Sequence, residues 1–252
     1  MTDPLINIEQ NDGVVTLRLT RKPANALDIG FLEDIDAALA GLDAEAGWRV
    51  LVVTGTDGVF SAGVDLKKLP ALDGAAQDRI IHALNRLYTR LYGLSRPTIA
   101  AVNGHAIAGG LVLALACDYR IAASQPARFC LTEVQVGVAF PVSALEIARM
   151  ELAPHLCRNF LLFGGTIDPE AAHSGGIVDE LVAPADVMTR ARDKAEELKT
   201  IPPGGYAAIK AQLREPALTR MRAAVDKNEE PQLGGWVTDE AREAALKVLA
   251  GG

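Results

Sequence analysis

Along the chain the spacing of apolar positions switches repeatedly between two periods. GVVTLRLT (13–20) is rich in β-branched residues and partly alternating, and WRVLVVTG (48–55) is a short apolar run ended by glycine; both predict strands. Between them Asp28 precedes IGFLEDIDAALAGL, whose apolar residues recur at helical spacing, with Asp28 as the cap. A longer helix is predicted over about 75–94, with Ile80, Ile81, Leu84, Leu87 and Leu91 on one face. RPTIAAVNG (96–104) reads as strand, GGLVLALAC (109–117) as buried helix and DYRIAAS (118–124) as strand. Nearly continuous apolar strands alternating with helices predict an α/β fold whose strands are covered on both faces.

Past about residue 142 the pattern turns mostly helical, through VSALEIARMEL, HLCRNFLLFGG, DPEAAHSGG and DVMTRARDKAEELKT, with three more helical segments expected beyond. IPPGG (201–205) punctuates this region, and the last helix is expected to start at a Thr238 cap and end with AGG. The organisation predicted is an α/β core over 1–190 followed by a helical region over 191–252. With little core of its own, that region is expected to pack partly against neighbouring subunits.

Composition narrows the field. Hydrophobic residues are 49% and charged residues 23% of 252, ordinary for a globular chain and against general disorder. A formal net charge of −7, with no Lys/Arg run, argues against nucleic-acid binding. Cys117, Cys130 and Cys157 lie in apolar segments without ligand spacing, so they read as small core residues in a reducing compartment, and no metal site is expected. MTDPLINIEQ has no basic and apolar leader pattern, and no apolar run approaches the roughly 20 residues that span a bilayer. A cytoplasmic protein without a membrane partner is the expectation.

The candidate chemistry starts from RFCLTEVQVGVAFP (128–141), where Glu133 stands alone among apolar neighbours. Either it follows a strand and points at water, or it is buried with a raised pKa suited to proton transfer. Two other segments share one pattern, an apolar strand, a small-residue turn and a helix start: VFSAGVDLKKL (59–69) and AVNGHAIAGGLVLALACD (101–118). Gly109-Gly110 serves either close helix packing or the approach of a ligand to the backbone. Free N–H groups from two such turns, aimed at one point, would stabilise a developing negative oxygen. Neither segment matches a dinucleotide- or phosphate-binding glycine loop.

FSAGVDLKKL, AAVNGHAIAGGLVLALACDYRIAA and GGIVDELV together resemble the enoyl-CoA hydratase/isomerase (crotonase) superfamily, over nearly the whole chain. The resemblance implies a spiral of ββα units with a helical C-terminal region used in trimer or hexamer packing. It also implies an acyl-CoA thioester as substrate, with neither a metal nor an organic cofactor. It places the oxyanion-hole N–H groups on Val64 and Gly109, and Ala108 stands where the family usually has a glycine. Ala62, Gly110 and Val112 are implied to lie against the substrate, with Asp65 and Lys67 on the coenzyme A side. KPANALD (22–28) resembles the family's adenine-contacting loop, through backbone groups such as that of Ala24, with Lys22 or Lys67 near phosphate.

Carboxylate positions discriminate within the family. Hydratases carry two glutamates, and the first falls at Val112 here; the second matches Glu133. Dienoyl isomerases and dehalogenases use an aspartate at the place of Pro141. The resemblance is therefore nearest to single-glutamate Δ3,Δ2-enoyl-CoA isomerases, with Glu133 as sole acid/base. A one-carboxylate hydratase and a non-catalytic acyl-CoA-binding subunit are the alternatives. His105 is expected to be structural, while His82 either lines the acyl pocket or faces solvent.

Overall fold

A computed structural model describes residues 4–251; the first three residues of MTDPLINIEQ and the last glycine of AGG lie outside the described residues. The chain opens with β1 (Ile6–Asn11) and β2 (Val14–Leu19), an antiparallel pair, and continues through α1 (Ile29–Ala44), β3 (Val50–Thr54) and β4 (Val59–Ser61). Then come a single 3-10 turn (Leu69–Ala71), α2 (Gly74–Gly93), β5 (Thr98–Val102), β6 (His105–Ile107), α3 (Gly109–Leu115), β7 (Tyr119–Ala123) and β8 (Phe129–Cys130). After a second 3-10 turn (Glu133–Val136) follow α4 (Val142–Glu151), α5 (Pro154–Phe163), β9 (Thr166–Ile167), α6 (Pro169–Ser174) and β10 (Glu180–Val182). The chain closes with α7 (Val187–Lys199), α8 (Pro203–Asp226) and α9 (Asp239–Gly251).

The strands form two sheets. One has the order β1-β2-β3-β5-β7-β10 and is parallel beyond β2, and the other has the order β4-β6-β8-β9. Each of β3, β5 and β7 is followed by a strand of the small sheet and then, directly or across a 3-10 turn, by a helix, which winds the chain into a spiral of ββα turns. The corner at Gly104 is tight: a Cβ there would lie 1.6 Å from the Gly58 carbonyl oxygen. Both faces of the large sheet are covered. Leu51 and Val53 of β3 join the main core, while Val50 and Val52 meet Val187, Ala191 and Ala195 of α7 on the other side. This alternation explains why the strands read as continuous apolar runs.

Both expected caps form. Asp28 accepts from the Phe31 N–H at 3.0 Å, and the side chain of Thr238 accepts from Ala241 N–H at 3.2 Å. All five apolar positions singled out on α2 are buried. Among the described residues two helices, not three, follow α7, because α8 runs for 24 residues with Pro216 inside it. IPPGG does mark a boundary, yet α8 already starts at Pro203, a first-turn position that tolerates proline.

The boundary drawn at residue 190 falls within α7. Ala217, Leu218, Met221, Trp236, Val237, Ala241 and Ala245 belong to the same hydrophobic core as β3 and α2. The face α8 buries is partly charged. Lys210 and Arg214 pair with Asp118 at 2.8 and 2.9 Å, and Arg214 stacks over the Tyr92 ring, while Ile209 and Leu213 stay exposed. Among the described residues no helix is long and apolar enough to cross a membrane.

Candidate active site

The turn after β4 is held from behind by the 22–28 segment. Ala62 N–H donates to the Ala24 carbonyl at 3.0 Å, Leu27 N–H to the Gly63 carbonyl at 2.7 Å, and Asp65 N–H to the Leu27 carbonyl at 2.9 Å. Val64 therefore forms a parallel bridge with Leu27 in which its neighbours carry the hydrogen bonds. In such a bridge its own N–H points to the opposite side. The sequence pattern placed Val64 at a helix start; here a bridge orients it, and the next helix is only the 3-10 turn at Leu69–Ala71.

The second turn enters α3 through Ala108, at φ 50° and ψ −125°, a conformation in which a Cβ is strained. Gly109 follows as the first residue of α3, so its N–H has no partner within the helix. The two turns touch. A Cβ on Gly63 would lie 2.9 Å from the Gly109 nitrogen, and the φ of Gly63 is +74°. Standard bond lengths then put the Val64 and Gly109 nitrogens within roughly 7 Å of each other. Gly110 serves packing instead, since a Cβ there would come within 2.3 Å of the Ser61 carbonyl oxygen, and it does not line the cavity.

Val64 and Gly109 border a cavity of about 80 Å³ whose other walls include Ala62, Leu84 and Tyr88 of α2, Val112 of α3, Val138, Pro141, Ala144 and Trp236. Glu133 opens the second 3-10 turn and reaches the same cavity. Its Oε2 atom is buried without a hydrogen-bond partner, although the residue as a whole is half-buried. Desolvation pushes its carboxyl up to about 7, against a smaller lowering by its own backbone N–H. The Tyr88 hydroxyl, fully buried, donates to the Gly109 carbonyl at 2.8 Å. Its phenol is held above the usual range by burial and, secondarily, by the charge of Glu133. Glu133 is the only carboxylate among the described residues lining this cavity.

A second cavity, of about 180 Å³, shares Val64 and Leu69 with the first and is lined also by Asp28, Asp65 and Lys68. Arg21 bridges Asp28 at 2.8 Å and Asp65 at 3.3 Å, and Lys68 reaches Asp28 at 2.5 Å. Asp65, implied by the resemblance to lie on the coenzyme A side, is one wall of this second cavity. Lys68 rather than Lys67 lines the wall; Lys22, Ala24 and Lys67 are exposed and line neither cavity. His82 is half-buried outside both cavities, and His105 Nδ1 accepts from Arg128 N–H at 3.1 Å. Sequence reasoning missed Tyr88, Trp236, Arg21 and Lys68. Tyr88 carried a signal, standing four residues after Leu84 on the buried face of α2.

A spiral of ββα turns with helices packed across its C-terminal end defines a crotonase-type fold. The enoyl-CoA hydratase/isomerase sequence profile matches residues 9–244, and the chain belongs to that family of acyl-CoA-processing enzymes. It is 30% identical over 220 residues to human mitochondrial enoyl-CoA delta isomerase 1, covering 86% of this chain and 72% of the relative. It is 32% identical over 197 residues to a putative enoyl-CoA hydratase of Thermus thermophilus, covering 77% of each. The crystal structure of human mitochondrial delta3-delta2-enoyl-CoA isomerase superposes with a TM-score of 0.90 at 27% identity, covering 98% of this chain and 97% of that one.

Proposed function

We propose that the protein is a Δ3,Δ2-enoyl-CoA isomerase with Glu133 as its single acid/base. The observation that carries this is the lone carboxylate: Val112 and Pro141, where a second acid would be needed for other chemistries, are apolar walls of the same cavity. Glu133 takes a proton from C2 of a 3-enoyl-CoA, and negative charge spreads to the thioester oxygen. The N–H groups of Val64 and Gly109 receive that oxygen, each contributing roughly 3–4 kcal/mol. Glu133 then returns the proton at C4, leaving the double bond between C2 and C3. A carboxyl near 7 holds the proton between the two steps and still acts as a base at neutral pH. The chemistry draws on these groups alone, with coenzyme A part of the substrate.

The test is product analysis by mass spectrometry with 3-enoyl- and 2-enoyl-CoA. Isomerisation preserves substrate mass, whereas hydration adds a water. Interconversion without added water is expected; strong hydration of 2-enoyl-CoA, or binding without turnover, contradicts the proposal. Exposed Ile209 and Leu213 on α8 support assembly as a homotrimer or homohexamer. A monodisperse monomer in light scattering would contradict that part.

A further inference from the structure

We infer that Trp236 is the stop of the acyl pocket and restricts the enzyme to short acyl chains. This rests on the reading of the cavity as an acyl-CoA site. Val64 and Leu69 are common to both cavities, so a thioester held at Val64 has its coenzyme A side toward Asp28 and Lys68. Trp236, Val138 and Ala144, like Leu84, Val112 and Pro141, line only the first cavity and are among the apolar walls open to the acyl chain.

That wall is fixed. The Trp236 indole N–H donates to the Ala139 carbonyl at 2.7 Å, and the neighbouring Val237 N–H donates to Gln77 Oε1 at 2.9 Å. Upstream, Gly234 N–H donates to Asp78 at 2.8 Å. Glu230 is buried and accepts from Asn85 Nδ2 at 2.7 Å, Val142 N–H at 2.8 Å and Gln232 N–H at 3.0 Å. The 230–237 strap is thereby tied to α2 and to the start of α4, the helices that carry Leu84, Tyr88 and Ala144. A tryptophan so held cannot swing aside as a free surface side chain would.

The space in front of it is small. It measures about 80 Å³, against the roughly 150 Å³ of a cavity that binds one benzene ring. Among the described residues the polar side chains lining the cavity are Glu133, Tyr88, Thr132 and Trp236, whose indole N–H is spent on Ala139, so the chain it takes is hydrocarbon.

The experiment is a binding titration of the full-length protein with saturated butanoyl-, hexanoyl-, octanoyl-, decanoyl- and dodecanoyl-CoA. Affinity should rise about fourfold per buried methylene until the chain meets Trp236, and should level off or fall before dodecanoyl-CoA. Trp236→Leu should move the turning point toward longer chains by about two methylenes. Ala144→Val narrows the same space from α4 and should move it the other way, which keeps the inference testable if loss of the indole impairs folding. Affinity climbing uniformly to dodecanoyl-CoA, or a turning point unmoved in folded variants, overturns the role of Trp236 and leaves the acyl-CoA reading standing. Failure of every acyl-CoA to bind the parent protein overturns both.

Discussion

The hydroxyl of Tyr88 donates a 2.8 Å hydrogen bond to the carbonyl of Gly109, tying the middle of α2 to the first residue of α3. The peptide whose N–H is proposed to receive the thioester oxygen is thus adjacent to one held by a buried phenol. Glu133 stands near enough that its charge acts on that phenol. Position and electrostatics of the site are coupled through one side chain.

Tyr88→Phe removes only that hydroxyl. A neutral buried hydrogen bond is worth about 0.5–1.5 kcal/mol, so kcat should fall roughly two- to tenfold while affinity for a saturated acyl-CoA holds. Steady-state isomerisation beside a binding titration measures this. An unchanged kcat in a folded variant would show that α3 is positioned without the phenol.

Much of this was legible in the sequence, and the losses have physical causes. The edge strands β1 and β10 went unread, but the inner strands β2, β3, β5 and β7 announced themselves as apolar runs, and α1 and α2 by their helical period. The small sheet did not: β8 and β9 are two residues each, too short to show alternation. Glu133 stood out as a charge among apolar residues. Trp236 could not, since it reaches the cavity from over a hundred residues away. Val64 was placed at the wrong kind of element because a bridge to Leu27, not a helix, turns its N–H. The buried face of α8 was hidden by its charges; Lys210 and Arg214 are inside because Asp118 is there to meet them.

Val112→Glu puts a second carboxylate where none now lines the cavity. Val112 is fully buried, so the change should cost about 1–3 kcal/mol in stability. A folded variant should yield more product one water heavier from 2-enoyl-CoA than the parent does. Equal amounts from both would argue that a second acid there does not govern hydration.

Ala108→Gly should stabilise the protein. A non-glycine residue in this region costs of order 1–3 kcal/mol, against about 0.5–1 kcal/mol for the added chain freedom of glycine. A rise in melting temperature is expected, and a fall would mean that the alanine methyl contributes packing worth more than the strain.

The raised carboxyl of Glu133 has a stability signature of its own. Its pKa rises from 4.5 to about 7 on folding, so the folded state binds more protons between those values. The stabilisation is present below pH 4.5 and is lost as pH rises through about 7. Glu133→Gln should therefore gain on the parent between pH 5 and 8, by up to roughly 3 kcal/mol. Denaturant melts across that range check the sign; a gain that shrinks with pH would contradict the burial of this group.

The most direct measurement is 3-enoyl-CoA isomerisation by Glu133→Gln, with a saturated acyl-CoA titrated in parallel. General acid–base assistance is worth roughly 10²–10⁴-fold, and no other carboxylate among the described residues lines the cavity to replace it. The rate should fall at or beyond the upper end of that range while the acyl-CoA still binds. In the parent, activity should rise with pH toward a plateau above about 7, the limb set by this group. Isomerisation surviving within roughly tenfold of the parent, well short of the expected loss, would mean that Glu133 is not the base.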